Sequence, residues 1–173
     1  VITANLLTII CFILIFGSMG DMIGQDKVFK FGIVVFVIGA LICAMASSFP
    51  LLIIGRIVEG FGASATMATN QGLIAQTFPA NERGRALGIS GSFVAMGSMF
   101  GPAFGGLILG KFSWNMIFLL NVPIGLLALV LAMKILPRTQ NDGQKRLDIK
   151  GSLLFMFFVS SLYLGVKLLQ QGM

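Results

Sequence analysis

Between Leu51 and Ile74 a largely apolar run carries two ionisable residues, Arg56 and Glu59. A charge at membrane depth costs about 2.5 to 3.5 kcal/mol on insertion scales, so such groups face protein or a water-filled cavity rather than lipid. Three positions apart on a helix, the two share a face. One reading is a satisfied ion pair. The other is a carboxyl in a low-dielectric setting that binds and releases a proton while the guanidinium tunes it, which makes Arg56 and Glu59 proton-coupling candidates. At about 100° per residue, Gly60, Ala63, Thr66, Met67 and Asn70 fall with them inside an arc of about 120°. Ala63, Thr66, Met67 and Asn70 are therefore candidates for lining a substrate cavity. The opposite arc, with Ile54, Ile57, Val58, Phe61, Ala65 and Ala68, suits lipid or packing.

Little other chemistry is on offer. There is no histidine, which removes the commonest metal ligand and proton shuttle. Cys11 and Cys43 lie inside apolar runs and suggest neither a disulfide nor a metal site. No nucleophile–base pair or paired carboxylate stands out, so the expectation is a protein without cofactor or metal and not an enzyme.

The elements that must carry the pair are membrane spans. Hydrophobic residues make up 57% of the chain and charged ones 10%, with a mean hydropathy of +0.97, whereas about a quarter of a soluble domain is charged. The apolar runs are Val1 to Phe16, Phe31 to Ser48, Leu51 to Ile74, Ala86 to Gly110, Met116 to Leu136 and Gly151 to Leu169. The fold class is an all-α integral membrane bundle with about six spans. The first run has no polar flank and begins without methionine, and the last stops close to the end. The chain reads as a fragment with sequence missing at both ends, and no cleaved signal peptide is recognisable.

The formal net charge of +6 reports topology and not a nucleic-acid surface. With the Gly17 to Lys30 segment as a cytoplasmic loop, one side receives Lys27, Lys30, Arg83, Arg85, Lys134, Arg138, Lys145, Arg146 and Lys150, and the other only Lys111 and Lys167. That bias orients the chain by the positive-inside rule. An odd number of spans, most simply one, is then expected before Val1.

The run from Ala86 to Gly110 is long enough to cross a bilayer, about 37 Å at 1.5 Å per residue, yet it holds seven glycines and Pro102. Each glycine costs roughly 1 kcal/mol and proline roughly 3 kcal/mol against alanine in a helix interior. Gly97, Gly101 and Gly105 recur along one side, where a neighbouring backbone could come close. Pro102 cannot donate to the Ser98 carbonyl, so a kink is expected.

These residues carry a resemblance. Gly88, Gly97, Gly101, Pro102, Gly105 and Gly106 are similar in spacing to the antiporter motif in the fifth transmembrane helix of major facilitator superfamily drug exporters. Gly17, Asp21, Gly24 and Lys27 resemble the family's signature between helices two and three, although Met22, Gln25 and Asp26 stand where basic residues are frequent. Leu52, Arg56, Gly60, Gly62 and Ala63 resemble its helix-four motif, with Glu59 in place of the usual glutamine. Trp114 and the stretch from Ile117 to Gly125 resemble the WRWIFxINVPIG segment of fourteen-span exporters, and Leu147 to Gly151 the entry to their extra hairpin.

The resemblance implies helices two to seven of a fourteen-span drug/proton antiporter. Residues 1–136 would be part of the N-terminal half, 137–150 a cytoplasmic linker, and 151–173 the seventh helix. It further implies proton-driven export of hydrophobic or cationic small molecules across the cytoplasmic membrane, by two helical halves rocking about a midplane site. The embedded arginine would serve proton coupling and the Gly17–Lys27 signature would latch the halves. The partners would be substrate, protons, the lipid bilayer and the missing helices of the same chain. Export of one metabolite, such as a siderophore or an amino acid, and a non-transporting membrane scaffold are the alternatives.

Overall fold

The computed structural model describes residues 2–111, 113–136, 151, 154–159, 161 and 163. Five long helices follow one another: α1 (Ile2–Ile23), α2 (Gln25–Ala44), α3 (Phe49–Thr77), α4 (Arg83–Lys111) and α5 (Asn115–Ile135). All five are long and apolar enough to cross a membrane. Spanning by helix follows from the bilayer itself, which leaves no water to satisfy an open backbone. The expected linker 137–150 lies outside the described residues, as does most of 151–173, where residues 154–159 are helical.

The helices overrun the apolar runs, and the segment from Gly17 to Lys30 is not a loop. α1 continues through Gly17 and Asp21 to Ile23, and α2 already contains Lys27. Gly24 alone breaks the path, at φ 111°, a left-handed value open to glycine. Hydropathy marks what lies in lipid, whereas the helix ends where backbone bonding is interrupted. Here it barely is, since Gly24 donates to Gly20 and Val28 donates to Gly24. Likewise α3 starts behind Ser48 with Pro50 in its first turn and stops before Phe78, which precedes Pro79 and is extended at ψ 139°.

α2 and α3 run antiparallel and nearly touch. A Cβ on Gly39 would lie 2.6 Å from the Glu59 Cα, and one on Gly62 would lie 2.6 Å from the Gly32 carbonyl oxygen. α1 lies beside α3 in parallel, with Phe61 edge-on to Phe12 and Phe16 at 4.8 and 4.7 Å between ring centroids. Phe16, Val28 and Ala65 are the buried centre of this trio. α5 crosses the other side of α2, where Ile33 and Val37 meet Ala132. At its start Asn115 donates to the carbonyls of Ala44 and Ala46 at 2.8 and 3.3 Å, tying the α2 C-terminus to a residue 71 positions away.

α4 stands apart. It continues as one helix through Pro102 and none of its residues is buried.

Candidate functional site

α3 places Arg56 and Glu59 one turn apart at the densest contact of the bundle. The Arg56 Nη1 donates to Glu59 Oε2 at 2.9 Å. The Glu59 side chain is 3% exposed and that of Arg56 21%. Three other helices build the surroundings. α2 supplies Gly39, whose missing side chain lets the Glu59 backbone in. α1 supplies Asn5, which donates to the Arg56 carbonyl at 2.9 Å and packs with Thr8 against Gly60. From α5 the Phe118 ring lies 4.8 Å from the Arg56 guanidinium carbon, within range of a cation–π contact. Arg56 Nε is buried with no hydrogen-bond partner. The site thus holds an ion pair with one donor unspent.

The remaining residues of the α3 arc diverge. The Thr66 hydroxyl donates to the Ala63 carbonyl at 2.8 Å, so it serves its own helix. Met67, 56% exposed, faces a cleft toward α1 of about 410 Å³ that also takes in Gly17, Ser18 and Asp21. Asn70 turns toward α4, where it donates to Ser90 Oγ at 3.4 Å. The arc therefore feeds two clefts, one on each side of α3.

The glycine motif of α4 has no neighbour in place. A Cβ on Gly88, Gly97, Gly101, Gly105 or Gly106 would meet nothing within 4 Å. Pro102 lies inside this exposed helix. In the Gly17–Lys27 signature, Asp21 accepts from Gln25 Nε2 at 2.8 Å, while Lys27 is exposed in the first turn of α2. Gln25 and Asp26 are 5% and 3% exposed, and Asp26 pairs with Lys30 at 3.3 Å.

Sequence reading missed Asn5, Gly39, Phe118 and Ser90. Only Asn5 carried a signal, as an amide inside an apolar run. Among the described residues no group of histidine, cysteine and carboxylate side chains could hold a metal, and Cys11 and Cys43 are buried and not joined in a disulfide.

A multi-pass helical bundle with an ion pair embedded at a helix crossing defines an integral membrane protein, with an intramembrane ionisable site of the kind transporters use. Family comparison agrees: the sequence profile of the Major Facilitator Superfamily matches residues 1–169. The chain belongs to that superfamily, whose members are transporters and not enzymes. It is 44% identical over 156 residues to the riboflavin transporter RibZ of Clostridioides difficile, covering 90% of this chain and 34% of the relative. It is 37% identical over 155 residues to the uncharacterized transporter YebQ of Escherichia coli, covering 89% and 34%. It is 33% identical over 156 residues to the multidrug resistance protein Stp of Mycobacterium tuberculosis, covering 90% and 29%. The chain thus spans about a third of the length of these relatives.

Proposed function

We propose that the protein to which this chain belongs is a proton-coupled exporter of hydrophobic or cationic small molecules in the bacterial cytoplasmic membrane. The observation that carries this reading is the Arg56–Glu59 pair, withdrawn from water on α3, the helix that further along also lines two clefts through Met67 and Asn70. Relatives named as multidrug resistance proteins support the substrate class. In this reading Glu59 takes up the proton and Arg56, with an unspent Nε–H, exchanges partners as the carboxyl is neutralised. The α4 stripe of Gly88, Gly97, Gly101, Pro102, Gly105 and Gly106 packs against helices supplied by the rest of the chain. Gly17, Asp21, Gly24 and Lys27 help to latch the cytoplasmic ends. Ala63, Thr66, Met67 and Asn70 contribute the α3 side of the substrate path.

Everted vesicles carrying the full-length protein test this reading. They should accumulate substrate when acidified inside and lose that uptake with a protonophore. Glu59→Gln keeps the shape and an acceptor for Arg56 while removing the ionisable proton. It should bind substrate but lose part of its response to the gradient. Full gradient response in Glu59→Gln would return the pair to a purely structural role.

A second reading is favoured by the 44% identity to a protein named as a riboflavin transporter: carriage of one metabolite. Uptake of riboflavin by the same vesicles, without competition from hydrophobic cations, would select it.

A further inference from the structure

The only carboxamide side chain in α1 is Asn5. Asn5, Thr8, Phe12 and Phe16 recur every three or four residues, and this face of α1 lies on α3. Phe12 and Phe16 meet Phe61, whereas Asn5 and Thr8 meet Gly60. The aromatic part of the contact is ordinary packing. Its polar part falls beside the Arg56–Glu59 pair.

Gly60 makes the polar part possible. A Cβ there would lie 2.9 Å from the Asn5 carbonyl oxygen, 3.1 Å from Asn5 Nδ2 and 3.1 Å from Thr8 Cβ, so a side chain would push α1 away. Without one, the Asn5 amide passes over Gly60 and donates to the Arg56 carbonyl one turn earlier, at 2.9 Å. In an α-helix that carbonyl also accepts from the N–H four residues on, that of Gly60, which leaves a second lone pair for the amide. The bond ties α1 to α3 without opening the α3 backbone. Arg56 is thereby held from three helices: its carbonyl by Asn5 of α1, its Nη1 by Glu59 of α3 and its guanidinium face by Phe118 of α5. Among the described residues the guanidinium has no hydrogen-bond acceptor other than Glu59, and its buried Nε has none. Its placement on the carboxylate therefore depends on where the Arg56 turn stands between α1 and α5.

We propose that Asn5 is a positioning residue for proton coupling: its amide fixes the turn of α3 that holds the Arg56 guanidinium on Glu59, so that the position of α1 and the state of the ion pair are linked. This rests on the proton-coupled reading and adds α1 to its machinery. Linkage is reciprocal. If the place of α1 biases the pair, neutralising the Glu59 carboxyl biases the place of α1. Among the described residues the ionisable groups around Glu59 are Arg56 on its own helix and Cys43 of α2, which lies within electrostatic reach of both. At this level α1 brings the neutral Asn5 and Thr8, and α5 brings the Phe118 ring.

The test uses the full-length protein with two readouts at equal membrane abundance: accumulation of probe by everted vesicles acidified inside, and equilibrium binding of the same probe in detergent without a gradient. The probe is ethidium, a hydrophobic cation, or riboflavin if the metabolite reading holds. Asn5→Leu keeps the shape and removes the donor. It should lower gradient-driven accumulation about threefold, the equilibrium worth of an average interhelical side-chain hydrogen bond in a membrane, with probe affinity unchanged. Combined with Glu59→Gln it should remove no further gradient response, because its effect runs through the pair. A merely structural role would instead lower binding and accumulation together and add to the loss in Glu59→Gln. That pattern, or wild-type accumulation in Asn5→Leu, overturns the proposal. If Asn5→Leu does not fold, Gly60→Ala decides, since its Cβ parts the same contact: a selective loss of gradient response supports the linkage and a wild-type response overturns it. Full gradient response in Glu59→Gln defeats the proton-coupling reading itself, whereas a reduced response there beside an intact one in Asn5→Leu defeats only the positioning role.

Discussion

Removing Arg56 alone should damage the protein more than removing Arg56 and Glu59 together. In the wild type the Glu59 carboxylate is 3% exposed and its Oε2 accepts from the guanidinium at 2.9 Å. Arg56→Met keeps much of the stem's volume but leaves that carboxylate buried without its cation. Breaking a buried pair from one side costs about 3 to 5 kcal/mol, because the remaining charge is uncompensated. The cation–π contact with Phe118 adds roughly 0.5 to 2 kcal/mol to the loss. Glu59→Leu in the same chain removes the stranded charge, and apolar replacement of a whole buried pair is often neutral or stabilising. The double variant should therefore recover most of the deficit, leaving a coupling of about 3 kcal/mol between the two positions in a double-mutant cycle. Reversible unfolding of the full-length protein in detergent, followed by helical content against added denaturing detergent, gives the four stabilities. Additive losses, or an Arg56→Met variant within about 1 kcal/mol of wild type, would refute the account of a desolvated pair.

Two glycine substitutions separate packing seen within this chain from packing expected with the rest of it. Gly39→Ala should destabilise the full-length protein by about 1 to 3 kcal/mol, since the added Cβ would lie 2.6 Å from Glu59 Cα and 2.8 Å from its Cβ; unchanged thermal stability in detergent would show that α2 and α3 can part at no cost. A Cβ on Gly101 would meet nothing within 4 Å inside this chain, yet under the proposed packing of the α4 glycine stripe on other helices of the full-length protein Gly101→Leu should reduce export at equal membrane abundance more than Pro102→Ala does. Equal export by Gly101→Leu and wild type would end that assignment.

Sequence alone determined what the solvent dictates. Alternation of apolar runs with basic turns announces membrane helices, because lipid admits no other open chain and charges stay at the interfaces. Arg56 and Glu59 were legible for the same reason, as charges are rare at depth. That they could pair was legible from spacing, since residues three apart on one helix share a face, and the structure shows the bond. Helix ends were less legible, because hydropathy does not register backbone bonding that continues beyond the lipid, as it does from Gly17 to Ile23. Tertiary structure alone decided which glycines are filled against. Gly39 and Gly101 look alike in sequence, yet one admits the Glu59 backbone and the other has open space around it. It also brought Asn5 and Phe118 to Arg56 and parted Met67 from Asn70 into separate clefts. Such contacts depend on how helices rotate and cross, and that is set by the whole interface and by no single residue pattern.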